Sequence, residues 1–253
     1  MKLSGNTVLI TGGGSGIGRG LAEALQKLGN EVVIAGRRKQ ALDATTAANP
    51  GMQSVALDIE KREGIRKFAD EVAAKFPSLN VLINNAGVMR AEKLLQQQED
   101  WSDMEAIVAT NLLGPMRLTA ALLPHLKKQA GATIMNVSSG LAFVPLVLTP
   151  TYCATKAAIH SYTQSLRYQL KKTKIEVLEL IPPYVATDLM GGKSDPRAMP
   201  LAKYIAEVMS ILKLQPTPVE ICVENVRGLR FAAENGRYDG IFNGMNSAMA
   251  DIQ

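Results

Sequence analysis

The chain has 253 residues, 47% of them hydrophobic and 20% charged, with a formal charge of +5 from 28 basic and 23 acidic side chains. That composition excludes wholesale disorder, and a chain of this length buries enough surface to need no disulfide or metal staple. Its basic residues stand singly or in pairs rather than in an arm, so no nucleic-acid partner is expected. Cys153 and Cys222 form no CxxC, which points to a reducing, cytoplasmic compartment. His125 and His160 have no Cys/His/Asp cluster around them in sequence, so neither a metal site nor a histidine-based triad is expected.

In chain order, short apolar runs alternate with amphipathic stretches. Residues 7–10 predict a strand and 16–28 a helix, with Ile17, Leu21, Leu25 and Leu28 at helical spacing and Gly29 as the C-terminal cap. Further strands are predicted over 31–35, 54–57, 81–83, 133–137 and 175–181, and helices over 39–48, 60–76, 101–111, 115–128 and 152–171. Runs this short, separated by helices and brief connections, predict buried parallel strands covered on both faces. The expected architecture is one Rossmann-like, doubly wound α/β domain over 1–253. An irregular excursion near 188–200, followed by an amphipathic stretch over 201–214, is expected to cover the substrate, and Gly191, Gly192 and Pro196 suit a mobile segment there. No apolar run reaches the about 7–15 residues of a secretory leader or the about 20 of a membrane span, so no membrane association is expected.

After the first strand comes Thr11-Gly12-Gly13-Gly14-Ser15-Gly16-Ile17-Gly18, and then the first helix. Gly12 can leave the strand in a tight turn, Gly16 lets the backbone approach a pyrophosphate, and Gly18 lets the helix pack close to the sheet. The helix start presents free N–H groups to that anion. Roughly 20 residues after such a turn, an NAD-preferring fold places a carboxylate on the ribose 2′-hydroxyl. Here the second strand ends in Ala35-Gly36-Arg37-Arg38, two guanidiniums suited to a 2′-phosphate, which predicts NADP(H).

Tyr152 and Lys156 are spaced i and i+4, on one face of the predicted helix. An ammonium beside a tyrosine favours the phenolate, so Lys156 is expected to lower the Tyr152 pKa and make it a general acid/base. Ser139 follows the fifth predicted strand, where side chains face the ligand crevice, and can hydrogen-bond a substrate carbonyl. Ser138, on the opposite pleat, competes for that role.

These motifs together resemble the short-chain dehydrogenase/reductase family over nearly the whole chain, with similarity to its DltE-like branch in the run 139–146 and in Pro182-Pro183. Thr11–Gly18 resembles its TGxxxGxG turn, which makes Gly12, Gly14, Ser15, Gly16, Ile17 and Gly18 candidate cofactor contacts. Asp58-Ile59 resembles the acidic position beside adenine, and Asn84-Asn85-Ala86-Gly87 the NNAG motif. The resemblance implies a tetrad of Asn111, Ser139, Tyr152 and Lys156. In it Tyr152 exchanges the proton, Lys156 also holds the nicotinamide ribose, Ser139 orients the carbonyl and Asn111 holds a relay water.

Two departures stand out. Pro182-Pro183-Tyr184-Val185-Ala186-Thr187 replaces the glycine of PGxVxT with Pro183, although Pro182, Val185 and Thr187 can still meet the carboxamide. The VDGG signature is missing, and Asp239–Asn246 stands in its place, so a last strand and the subunit contacts it supports do not follow from the resemblance. His160 reads as a packed helix histidine and Cys153 as packing. Met89, Phe143, Leu146, Tyr184, Met190 and Met199 are candidates to line an apolar pocket.

The expected activity is hydride transfer between NADP(H) and a small-molecule carbonyl or alcohol, by a homodimer or homotetramer. A catalytically weak dinucleotide-binding regulator or scaffold is the rival reading.

Overall fold

The computed structural model describes residues 1–96, 100–189, 191 and 195–247. Seven strands among them form one sheet: β1 (Thr7–Thr11), β2 (Glu31–Gly36), β3 (Gln53–Ala56), β4 (Leu79–Asn84), β5 (Ala132–Val137), β6 (Ile175–Ile181) and β7 (Glu220–Cys222). They pair in parallel in the order β3-β2-β1-β4-β5-β6-β7. The chain moves outward in one direction from β1 and in the other from β4, so the crevice at this reversal lies between the ends of those two strands.

The helices are α1 (Gly16–Gln26), α2 (Lys39–Ala48), α3 (Arg62–Lys75), α4 (Ser102–Val108), α5 (Gly114–Leu126), α6 (Pro150–Leu170), α7 (Leu201–Leu212), α8 (Glu224–Arg230) and α9 (Tyr238–Asn246). Strand residues alternate between two cores, as a period of two requires. Val8, Ile10, Val32, Ile34, Val81, Ile83 and Leu178 pack with Leu21 and Leu25 of α1 and with Tyr204 and Val208 of α7. Leu9, Val33, Leu82, Ile134 and Val177 pack with Phe68 of α3, Leu118 and Leu122 of α5, and Leu166 of α6. Each fully buried aliphatic chain of this kind contributes about 1.5–3 kcal/mol relative to exposure.

Three expectations are revised. The helices expected over 101–111 and 115–128 are one rod, because a π-helical segment, Ala109–Leu113, joins α4 to α5 and carries Asn111. A Cβ on Gly114 would stand 2.8 Å from the Ile59 carbonyl oxygen, so the rod approaches the Asp58-Ile59 segment more closely than a larger residue would allow. The combined helix Ser102–Leu126 is long and apolar enough to cross a bilayer by length and composition. Here its Ile107, Leu118, Leu122 and Leu126 are buried in the protein's own core.

Among the described residues the last strand is β7, before the segment that replaces the VDGG signature; that segment is helical, in α9. Asn246 of α9 accepts from Val147 N at 2.9 Å and donates to the Pro145 carbonyl at 3.1 Å, tying the helix to the loop after Ser139. Finally, the amphipathic stretch over 201–214 forms α7, docked on the core: Tyr204, Val208, Met209 and Leu212 are buried, and a Cβ on Gly20 of α1 would press on Ile205 at 2.7 Å. Of the expected mobile segment, Gly192, Lys193 and Ser194 lie outside the described residues, as does Met190.

Candidate active site

The glycine turn follows β1 and the NNAG segment follows β4, so the sheet order brings the two together. Gly12 has φ +68°, and a Cβ there would meet Ala86 Cα and Asn85 Nδ2 at 2.9 Å. On Gly18 a Cβ would overlap Asn85 Nδ2 and the Gly12 carbonyl oxygen, so α1 can dock only through glycine. Asn85, expected to contact the cofactor, spends its side chain on this turn, donating to the Thr11 carbonyl at 2.9 Å. Thr11 Oγ1 in turn accepts from Asn85 N and Ala86 N, both at 3.0 Å. Sequence reasoning missed Thr11, whose buried hydroxyl at a strand end was the available signal.

The residues fit the dinucleotide that the motif implies. Ser15 precedes α1 in extended conformation and makes no side-chain cap. The first-turn N–H groups of Gly16, Ile17 and Gly18 therefore have no use within the helix and form an anion-binding donor set. A Cβ on Gly16 would lie 3.3 Å from Thr187 Cγ2, so Thr187 reaches the turn despite Pro183. Val185 is held by a bridge to Met199, and Pro182 O accepts from Gly140 N at 2.9 Å.

At the far side of the turn the two arginines separate. Arg38 donates from Nη2 to Ser15 Oγ at 2.7 Å and has no carboxylate partner among the described residues. Arg37 pairs with Glu60 at 3.0 Å and lies 4.0 Å from Asp58, which also neighbours Lys61 at 3.9 Å. The expectation of a carboxylate-free pocket thus holds for the end of β2 but not in space, because the segment after β3 delivers two acids to Arg37. Ile59 beside them is buried.

Tyr152 and Lys156 lie on α6, and both are buried. The Lys156 Nζ stands 5.5 Å from the Tyr152 ring centroid and donates to the Val137 carbonyl at 2.9 Å. A Cβ on Gly87 would be 3.4 Å from Asn111 Oδ1 and 3.7 Å from Lys156 Nζ, so the NNAG segment, the π segment and α6 converge. Asn111 clamps the chain after Gly87, accepting from Val88 N at 2.8 Å and donating to Val88 O at 2.9 Å. Beneath them is a small polar recess lined by Asn84, Asn111, Asn136 and Lys156. Asn84 Oδ1 in that recess is buried with no hydrogen-bond partner among the described residues.

The two serines differ in what they touch. Ser139 Oγ accepts from Leu141 N at 3.1 Å and favours the ionised form of Tyr152, whereas Ser138 donates to Glu179 at 2.6 Å. The expected lowering of the Tyr152 pKa is not what the structure gives. Burial pushes it up to about 12, against the smaller opposing influence of the Ser139 side chain. Burial also drives Lys156 down to about 8. Both shifts follow from the cost of a charge in a poorly solvated site.

Around the tyrosine, Ile107 and Cys153 form an apolar cluster with Val88, Met89, Leu141 and Leu146. The Cys153 thiol is pushed up by burial, in keeping with a packing role. Tyr184 is exposed and donates to Asp195, whose carboxylate Arg197 holds at 2.6 Å and keeps well below the usual range. Phe143 and Met199 turn instead into the core. His160 also departs from its expected packing role: its Nδ1 lies 2.9 Å from buried Glu179.

The family model described as short chain dehydrogenase matches residues 6–198. The chain therefore belongs to the short-chain dehydrogenase family of oxidoreductases. Within it the chain stands on the DltE-like branch, being 39% identical over 252 residues to the "uncharacterized oxidoreductase DltE" of Bacillus subtilis (strain 168), across 98% of this chain and 99% of that protein. Among solved structures, a short chain dehydrogenase from Burkholderia cenocepacia J2315 in complex with NADP is similar at TM-score 0.80 and 25% identity, covering 97% of this chain and 99% of that one. A 3-ketoacyl-(acyl-carrier-protein) reductase from Brucella melitensis, complexed with NADH, is similar at TM-score 0.77 and 27% identity, covering 89% and 100%.

Proposed function

We propose that the chain is an NADP(H)-dependent oxidoreductase that interconverts a carbonyl and an alcohol, with Tyr152 as the general acid/base. The observation that carries this reading is the convergence in one buried site of Tyr152 and Lys156, one turn apart on α6, with Asn111 and the Gly87 segment packed against the Lys156 ammonium. When bound, the dinucleotide supplies or accepts the hydride at its nicotinamide. Ser139 orients the carbonyl oxygen, and Tyr152 donates its phenolic proton to that oxygen in the direction of reduction. Lys156 holds the nicotinamide ribose and stabilises the phenolate left behind. Asn111, packed against Gly87 and Val88, keeps the proton relay behind Lys156 in register. Thr187, Val185 and Pro182 frame the carboxamide end, and Ile59 and Asp58 the adenine end. The apolar surround of Val88, Met89, Leu141 and Leu146 favours a carbonyl flanked by hydrocarbon. We place the enzyme in the cytoplasm, in keeping with two free cysteines. Self-association is favoured by exposed Trp101 and Leu113 along the Ser102–Leu126 rod.

The preference for NADP(H) rests on Arg38, which among the described residues has no acidic partner to compete with a 2′-phosphate and already reaches Ser15. Arg37, neutralised by Glu60, is better placed to flank the adenine than to bind phosphate. Titration of the full chain should find NADPH bound more tightly than NADH. Arg38→Ala should weaken NADPH by about 10–100-fold, the range of one lost charge-assisted contact, and leave NADH unchanged. Equal affinities in the wild type would overturn the assignment. A larger loss from Arg37→Ala than from Arg38→Ala would move the phosphate contact to Arg37.

A further inference from the structure

We infer that Ser138, Glu179 and His160 form a positioning clamp behind the site, setting where Ser139 stands relative to Tyr152; the inference rests on the oxidoreductase reading above. Glu179 is a fully buried carboxylate in β6, where the strand's other carboxylate, Glu176, is partly exposed and paired with the N-terminal ammonium. In sheet register Glu179 lies directly beside Glu220 of β7. Two carboxylates side by side repel, and a buried one is costly unless its oxygens are bonded. Each here has its own partners. Glu220 is held by Arg230 at 2.7 and 3.2 Å. Glu179 accepts from Ser138 Oγ at 2.6 Å and meets His160 Nδ1 at 2.9 and 3.0 Å. The ring closes through Phe143, which stands edge-on to His160 at 4.7 Å and beneath the Arg230 guanidinium at 4.7 Å. His160, Glu179 and Glu220 place ligand-type atoms within 4.8 Å of one another, a spacing that suits a cation. Arg230 and Ser138 already occupy the two carboxylates, so the cluster acts as a clamp.

Its connection to the site is covalent on both sides. Ser138 precedes Ser139, and His160 follows Lys156 by one turn of α6. The backbone beyond β5 is held to β6 as well, by Ser138 N on Leu180 O at 3.0 Å and Gly140 N on Pro182 O at 2.9 Å. Glu179 thus ties the strand end that carries Ser139 to the helix that carries Tyr152 and Lys156. A carboxylate only accepts hydrogen bonds, so His160 must hold its proton on Nδ1. The serine bonds to the glutamate and not to the histidine, so this trio is not wired to make a nucleophile.

The test compares Ser138→Ala, Ser138→Thr and Glu179→Gln with the wild type, all as full chains. Steady-state reduction of a ketone panel gives kcat and KM, fluorescence gives NADPH affinity, and ¹⁵N NMR of the histidine rings gives the tautomer, with only His125 and His160 to assign. Ser138→Ala should lower kcat by about tenfold, through misplacement of Ser139, with NADPH affinity unchanged. Ser138→Thr should recover most of that loss, because it restores the hydroxyl. Wild-type His160 should carry its ring proton on Nδ1, and Glu179→Gln should shift it toward Nε2. A lower Tm with unchanged kcat in Ser138→Ala would make the cluster purely structural and overturn the proposal, as would a wild-type His160 protonated only at Nε2. Failure of the wild type to reduce any carbonyl would instead overturn the oxidoreductase reading, while the tautomer would still test the clamp's geometry.

Discussion

Tyr152→Phe should fold normally, bind NADPH as the wild type does, and lose turnover by about 10²–10⁴-fold, the usual contribution of a positioned general acid. The ring stays packed against Ile107 and Cys153, and only the hydroxyl is removed. Burial raises the tyrosine to about 12, so in the cofactor-free protein the phenol keeps its proton throughout the neutral range. Carbonyl reduction, which consumes that proton, should therefore not decline through tyrosine titration below about pH 10. Alcohol oxidation needs the phenolate and should rise with pH across the same range. Steady-state kinetics in both directions decide it. Near-normal turnover in Tyr152→Phe, or oxidation that falls as pH rises, would remove the tyrosine from the chemistry.

Lys156→Ala should damage two properties at once. The ammonium is assigned both to the ribose and to the phenolate, so NADPH affinity should fall by about 10–100-fold and turnover at saturating NADPH by at least as much. Burial lowers Lys156 to about 8, so its charge is present below that pH and lost above it. Contacts to ribose hydroxyls favour the charged form, so NADPH binding near pH 8 should take up protons, and affinity should decline at higher pH. The same shift has an opposite consequence for stability. Between about pH 8 and the unfolded value near 10.5, the unfolded chain binds more protons than the folded one, so this lysine's contribution to stability rises with pH. Calorimetry and titration across that window test both signs. A Lys156→Ala protein with intact NADPH affinity would assign the lysine to the tyrosine alone.

What the sequence made legible was local. Short continuous apolar runs mark β1, β2, β5 and β6, because these strands bury both faces, one in each core. The glycines before α1, and Tyr152 with Lys156 on α6, also lie within single elements, so spacing alone identified them. What remained illegible depends on residues far apart in the chain. The pairing of Glu179 with His160 needs β6 packed under α6, although a carboxylate flanked by leucines in Leu178-Glu179-Leu180 was a readable sign that something had to satisfy it. Arg37 looked like a phosphate ligand until Glu60 arrived from beyond β3. β7 has three residues and one buried side chain, Ile221, too little periodicity to register. Asn111 looked like a helix end because Gly114 and Pro115 follow it, yet the π segment carries the helix through. The sign of the Tyr152 shift could not come from i, i+4 spacing, since burial of both groups outweighs their proximity.

The most direct measurement is isotope transfer. The full chain would be incubated with NADPH carrying deuterium at nicotinamide C4, on one face and then on the other, together with a panel of ketones and aldehydes flanked by hydrocarbon. The products would be read by mass spectrometry. One labelled face should deliver a single deuterium to the carbinol carbon of at least one product, and Tyr152→Phe should abolish that product on the same timescale. NADPH that binds at full stoichiometry yet transfers deuterium to no carbonyl would contradict the oxidoreductase assignment and leave the chain a dinucleotide-binding regulator.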